Sequence, residues 1–230
     1  MIAISPAGDS LPVTAELVAE RLAVVRERVA AVGGPARVTV VAVTKGFDAG
    51  AVEAARAAGL GDVGENYAQE LLAKAATSEG MRRHFLGAVQ RNKVARLAPL
   101  VALWQGVDRP EVIDEIAARR PGSAVLVQVD VVGGAGRGGV LPAEVGGLVA
   151  RGRDAGLDVR GLMCVGPAGD PPASRRAFEA VAAIGSRLGL AELSMGMTDD
   201  FELAVVAGST MIRLGRALFG ARPGRPTVRR

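Results

Sequence analysis

One cysteine, Cys164, stands in the 230-residue chain, so no disulfide framework can form and no multi-cysteine metal site can be assembled. The single histidine, His84, has no second or third ligand type close by in the sequence, which argues against a metal centre of any kind. Long apolar runs are also missing. The longest charge-free stretch, residues 97–107, is eleven residues and contains Pro99, against the roughly 20 apolar residues a bilayer crossing needs. Residues 1–13 (MIAISPAGDSLPV) carry neither a basic segment nor an apolar one of secretory type, so a cytoplasmic protein is the expectation. What remains, 49% hydrophobic and 23% charged side chains, is the composition of a chain that can bury a core.

Acidic charge is scarce only at one place. The pI of about 9.9 suggests nucleic acid, yet Arg222, Arg225, Arg229 and Arg230 all lie in an acid-free ending, residues 221–230 (ARPGRPTVRR). Without those four, 24 basic residues face 24 acidic ones, so the body is neutral and only a Pro/Gly-broken tail, expected to be disordered, is basic. No nucleic-acid partner is expected. Lysine is scarcer still: of 28 basic residues only Lys45, Lys74 and Lys93 are lysines. Where arginine is used almost everywhere, a retained lysine suggests either surface chance or amine chemistry, which an arginine cannot perform.

Hydrophobic spacing sets out the architecture. Val18, Leu22, Val25, Val29 and Val32 share one face of a helix predicted from about 14 to 32, ended by Gly33-Gly34-Pro35. Residues 38–43 (VTVVAV) form a β-branched run of the kind buried on both faces in a parallel sheet. Strands are then expected at 62–64, 84–86, 103–107, 124–131, 159–165, 192–197 and 210–214, with helices at 48–59, 66–76, 90–97, 109–120, 142–155, 173–188 and 199–207 between them. Eight strand-helix units after one additional helix predict a single α/β domain, a (β/α)8 TIM barrel over residues 14–220, preceded by a loose N-terminus (1–13) and followed by the basic tail. A doubly wound sheet would alternate likewise, but the first strand runs into Thr44-Lys45-Gly46 with no G-x-G-x-x-G turn.

In such a barrel the chemistry sits at the C-terminal ends of the strands. Lys45 follows the first strand, where desolvation would lower its pKa and free the amine as a nucleophile; snorkelling to solvent is the alternative. Glu65 and Asn66 end the second strand, as helix caps or as ligand contacts. Arg213 sits inside the apolar eighth strand, where a guanidinium needs a partner to offset its desolvation. The loops after strands seven and eight place Ser194, Gly196, Gly215 and Arg216 where barrels hold phosphate groups, although the glycines can equally be turn residues. His84, Met195, Ser209 and Thr210 are further candidates near these strands. Amine, buried arginine and phosphate cradle together describe a site for pyridoxal phosphate.

These residues resemble a known family, the pyridoxal phosphate homeostasis proteins (proline-synthetase-associated), through VAVTK (41–45), GENYAQE (64–70), HFLGAVQRNK (84–93), GLMCVGP (161–167), LSMGMTDDFE (193–202) and GSTMIRLGRALFG (208–220). The resemblance implies a barrel like that of alanine racemase. It also implies that Lys45 holds pyridoxal 5′-phosphate covalently as an internal aldimine (a Schiff base), that Arg213 faces the pyridine nitrogen, that Ser194 with the backbone at Gly215 and Arg216 holds the phosphate, and that Asn66 lies near the ring. An arginine at that nitrogen disfavours its protonation and weakens the ring as an electron sink. Arg216 replaces the usual small hydroxyl residue, Arg83 stands where an aromatic commonly precedes the histidine, and residues 136–139 (GRGG) lack the usual lysine-serine pattern.

Three functions follow for comparison. The first, implied by the resemblance, is a carrier in vitamin B6 homeostasis that holds the cofactor and delivers it to apoenzymes without robust catalysis. The second is an amino-acid racemase, which needs a second base on the opposite face of the substrate; the only tyrosine, Tyr67, lies within the barrel segment itself. The third is a cofactor-free aldolase using Lys45. A monomer is the expectation, since no surplus amphipathic helix marks a dimer surface.

Overall fold

The structure, a computed structural model, describes residues 13–34, 38–133 and 138–222. Most of the expected loose N-terminus, the tail from 223 on and residues 134–137, which include the first half of the 136–139 segment, lie outside these. Among the described residues, eight strands form one closed, fully parallel barrel in sequence order. They are β1 (Thr39–Val43), β2 (Asp62–Glu65), β3 (Arg82–Phe85), β4 (Leu103–Val107), β5 (Ala124–Val129), β6 (Asp158–Cys164), β7 (Glu192–Ser194) and β8 (Met211–Leu214).

The helices are α1 (Ala15–Ala31), α2 (Ala49–Ala57), α3 (Ala68–Ala73), α4 (Arg91–Leu97), α5 (Pro110–Arg119), α6 (Val145–Asp154), α7 (Pro171–Arg187), α8 (Phe201–Val206) and the one-turn α9 (Arg216–Phe219). Local chemistry explains where several begin. Thr14 and Asp48 accept hydrogen bonds from Leu17 N and Gly50 N as side-chain caps of α1 and α2, and prolines open α5 and α7, where their missing N–H costs nothing. The α1 stripe buries Val18, Leu22, Val25 and Val29 against α2, α8 and α9. Each such burial contributes roughly 1.5–3 kcal/mol before chain ordering is counted.

Side-chain alternation divides every strand between two environments. Val41, Leu103, Leu126, Met163 and Met211 pack together inside the barrel, whereas Ala42, Val63, Ile212 and Leu214 face helices on its outside. The same alternation sends Arg213 inward beside Val41, its register partner. Two residues beyond Val43, Lys45 continues the inward parity at the barrel mouth.

Candidate functional site

A cavity of about 410 Å³ opens at the C-terminal ends of the strands. Lys45, Asn66, Arg213, Gly215 and Arg216, five of the residues singled out from the sequence, line it together. Thr198, Asp199 and Arg222, which the sequence reading did not single out, line it too.

Lys45 is half-buried, and among the described residues its amine has no hydrogen-bond partner. Burial lowers the pKa of this amine, and the Arg222 and Arg213 charges lower it further, while Glu65 and Glu70 pull the other way. The turn carrying it is clamped on both sides. Lys74 Nζ donates to the Thr44 carbonyl at 2.8 Å, and Gly46 N–H donates to Glu70 Oε2 at 2.7 Å. Lys74 also donates to Glu65 Oε1 at 2.7 Å and to Glu70 Oε2 at 3.0 Å, and the Thr44 hydroxyl donates to Glu65 Oε1 at 2.6 Å. Lys74 and Glu65 are almost fully buried. Desolvation pushes the Glu65 carboxyl up, against the bonds from Lys74 and Thr44; burial would raise Glu70 as well, but Gly46 and Lys74 outweigh it and hold that group low. Two of the three lysines retained in this arginine-rich chain are therefore accounted for, one at the mouth and one fastening the turn that presents it.

The Glu65-Asn66 pair does not cap a helix, because α3 begins at Ala68 behind Tyr67. Glu65 points outward into the clamp, and Asn66 turns into the cavity. Asn66 is held close to the next strand because Gly87 lacks a side chain: a Cβ there would lie 2.1 Å from the Asn66 carbonyl oxygen.

Arg213 forms the cavity's interior wall and is only 5% exposed. Its Nη1 donates to Ser194 O at 2.6 Å and to Ser194 Oγ at 2.7 Å, and its Nη2 donates to Cys164 O at 2.7 Å. Three of the guanidinium's five N–H donors are so used, leaving two, among the described residues, for whatever the cavity holds. Directly after β8, α9 opens at Arg216, and its first N–H groups have no intrahelical acceptor. The Ala217 N–H donates to Thr198 Oγ1 at 3.2 Å, so the Thr198 hydroxyl proton is free to point elsewhere. The Arg216 guanidinium pairs with Asp199 at the rim, which makes its backbone rather than its side chain the group available inside.

Several sequence candidates lie away from the cavity. Ser194 is fully buried, and its hydroxyl is engaged below the cavity by Arg213 and by Gln105. His84 is also fully buried, bonded to Asp62 and Gln105 in the barrel interior. Met195 alternates outward into the core under the helices. Gly196, at φ +90°, is where α8 approaches β7: a Cβ would meet Ala204 at 2.7 Å, so close packing explains this glycine. The Ser209 hydroxyl lies within hydrogen-bond reach of the Leu193, Met195 and Met211 carbonyls, to one of which it donates, and Thr210 Oγ1 accepts from Leu193 N. Both precede β8 at the opposite rim, Thr210 being about 13 Å along the strand from Leu214. Arg83, on the outside, donates to Ser78 and Ala75. Tyr67 is 61% exposed and does not line the cavity. Cys164 is buried, its thiol pushed up to about 12 by desolvation, so it is no nucleophile.

A half-buried amine of lowered pKa suits attack on a carbonyl. Free donors from Arg213, Thr198 and the α9 backbone suit an anionic ligand. Among the described residues no group of three metal-ligating side chains exists, and no helix is long and apolar enough to cross a membrane.

Comparison with known proteins places the chain in a family. Residues 16–223 match the alanine racemase N-terminal domain family. The pyridoxal phosphate homeostasis protein of Pseudomonas aeruginosa is 39% identical over 222 residues, covering 90% of this chain and 95% of that protein; that of Deinococcus radiodurans is 39% identical over 203 residues, covering 86% and 97%. Among solved structures, PipY of Synechococcus elongatus with pyridoxal phosphate (PLP) bound superposes with a TM-score of 0.76 at 31% identity, covering 88% of this chain and 100% of that one. Alanine racemase of Bacillus anthracis shares the fold, with a TM-score of 0.69 at 18% identity, but this chain covers only 58% of it and 94% of itself is matched. The chain is thus a member of the alanine racemase N-terminal domain family and, within it, belongs with the pyridoxal phosphate homeostasis proteins.

Proposed function

We propose that the barrel mouth binds pyridoxal 5′-phosphate, and that the protein holds and releases this cofactor as a homeostasis protein of the cytoplasm rather than turning over a substrate. The observation that carries the reading is one cavity of about 410 Å³ faced by both the Lys45 amine and the spare donors of Arg213. That volume lies within the roughly 300–1,000 Å³ of small-molecule sites.

The residues present fit the group. When bound, the cofactor supplies an aldehyde that condenses reversibly with an unprotonated amine. Lys45 provides that amine at lower pH than a solvent lysine would, and the clamp from Lys74 and Glu70 holds its turn. Thr198, Gly215 and the Arg216 backbone would hold the phosphate, replacing the role expected of the Ser194 hydroxyl. Arg213 would present a permanent cation to the ring nitrogen and so keep it unprotonated. Asn66 would border the ring.

Two-base racemisation needs a proton donor facing Lys45 across the substrate. Tyr67, turned to solvent, does not supply one. Delivery to apoenzymes as a monomer completes the proposal. Titration of the purified chain with pyridoxal phosphate, followed by absorbance, should give a saturable new band near the visible edge. Mixing the loaded chain with an apoenzyme should then transfer the cofactor. Absence of the band would refute the cofactor reading, and efficient conversion of single amino-acid enantiomers, lost in Lys45→Ala, would refute the carrier reading.

A further inference from the structure

Beneath the cavity a line of polar side chains crosses the barrel's apolar interior, and none of its inner members lines the cavity. Arg213 donates to Ser194 Oγ at 2.7 Å, Ser194 Oγ bonds Gln105 Oε1 at 2.7 Å, Gln105 Nε2 meets His84 Nδ1 at 2.7 Å, and His84 Nε2 meets Asp62 Oδ1 at 2.8 Å. Ser194, Gln105 and His84 are fully buried. Asp62, at the start of β2 and so at the far end of the barrel, is partly exposed and lies 3.5 Å from Arg82.

The direction of every bond can be deduced. A guanidinium only donates, so Ser194 accepts from Arg213 and its own proton is free to go to Gln105 Oε1. That orientation of the amide has a second, independent support, because Gln105 Nε2 also lies 3.1 Å from Met211 Sδ, and a thioether can only accept. The amide N–H therefore donates to His84 Nδ1. The ring must then carry its proton on Nε2, where it donates to the Asp62 carboxylate. Each link accepts on the Arg213 side and donates on the Asp62 side, so the bond dipoles add between a cation and an anion. Arg213 has no carboxylate within hydrogen-bond reach among the described residues; its contacts are two carbonyls and Ser194.

We propose that Ser194, Gln105, His84 and Asp62 form a hydrogen-bond relay of fixed polarity that positions Arg213 from the opposite end of the barrel. These are positioning residues: they set the angle of the guanidinium and solvate its charge with aligned dipoles without neutralising it, and no proton need move along them. Only what Arg213 faces rests on the cofactor reading.

The chain's single histidine makes the test direct. In tag-free protein labelled with ¹⁵N-histidine and free of ligand, NMR at neutral pH should show one ring, unprotonated at Nδ1 and protonated at Nε2. A proton on Nδ1 would overturn the proposal. Gln105→Glu, equal in size but without a donor, should place a proton on Nδ1; an unchanged tautomer in the folded variant would also overturn it. With pyridoxal phosphate added to the wild type, the His84 Nδ1 resonance should move although His84 does not line the cavity, and the movement should vanish in Gln105→Leu. Binding seen by absorbance without any movement would overturn the link to Arg213. No binding at all would sink the cofactor reading and leave the ligand-free tautomer to decide the relay.

Discussion

Two buried polar clusters, one outside the barrel wall and one inside it, hold the two basic residues of the site by opposite means. Outside the wall, Lys74, Glu65 and Glu70 put charges in direct contact and fasten the turn of Lys45. Inside it, Arg213 meets no charge directly and reaches Asp62 only through a hydroxyl, an amide and an imidazole. Direct ion pairs in low dielectric are strong but leave a bare charge if one member goes. A chain of neutral links is weaker at each step, yet loses only a hydrogen bond when cut. Lys45 needs a rigid backbone and an amine left free; Arg213 needs its orientation fixed and its charge undiminished. Each cluster matches the residue it serves.

The largest effect should come from breaking the outer cluster. Lys74→Met would leave Glu65 buried without its cation, at a cost of about 3–5 kcal/mol by the usual penalty for an uncompensated buried charge. Urea denaturation measures this, and adding Glu65→Gln should recover much of the loss. Recovery would separate charge imbalance from poor packing of the new side chain.

Next comes Arg213→Gln. Losing hydrogen bonds to a charged partner costs roughly 1.5–3 kcal/mol, so cofactor retention should weaken by about tenfold or more and the absorbance of bound pyridoxal phosphate should shift, with the fold intact. Equilibrium dialysis and a spectrum read both. Unchanged retention and spectrum would mean that Arg213 serves only the interior.

A third prediction concerns pH. Because burial and neighbouring arginines lower the Lys45 pKa, the unprotonated amine persists to lower pH than in a solvent lysine. The pH midpoint for reductive labelling of Lys45 should therefore lie below that of a lysine in a short reference peptide, and Arg222→Ala should move it back up. Coincident midpoints would show that the amine behaves as if in water.

The smallest effect belongs to the surface, where Arg28 pairs with Glu202 at 2.8 Å and lies 4.7 Å from the Phe201 ring centroid. Glu202→Ala should cost about 0.2–1 kcal/mol and less in high salt, measured by the same urea curves. A loss as large as that from Lys74→Met would erase the contrast between buried and exposed pairs.

The barrel was legible in the sequence because its strands and longer helices announce themselves locally: VTVVAV by β-branching, α1 by its valine-leucine stripe, α2 by its Asp48 cap. That Lys45, Asn66, Arg213, Gly215 and Arg216 share one cavity was legible because all five follow or end strands at the same rim of a barrel. Ser194 and His84 were not assigned correctly to the cavity, since both alternate inward but stop one layer below it, a depth that sequence does not encode. Ser209 and Thr210 enter β8 from the wrong rim, and Met195 has the wrong parity. Thr198 escaped notice because its hydroxyl reaches the cavity through a loop contact to Ala217, a meeting between chain segments with no periodic signal. Lys74 was noticed only as a scarce residue; its partners Glu65 and Glu70 lie nine and four residues away, yet the spacing alone does not reveal burial.

In the proposed function Lys45 is the lysine that meets the cofactor. Reduction of the pyridoxal phosphate-loaded chain with borohydride, followed by peptide mapping, should place the pyridoxyl group on Lys45 and leave Lys74, sealed between two glutamates, unmodified. A label found only on Lys74 or Lys93, or no incorporation at all, would contradict it.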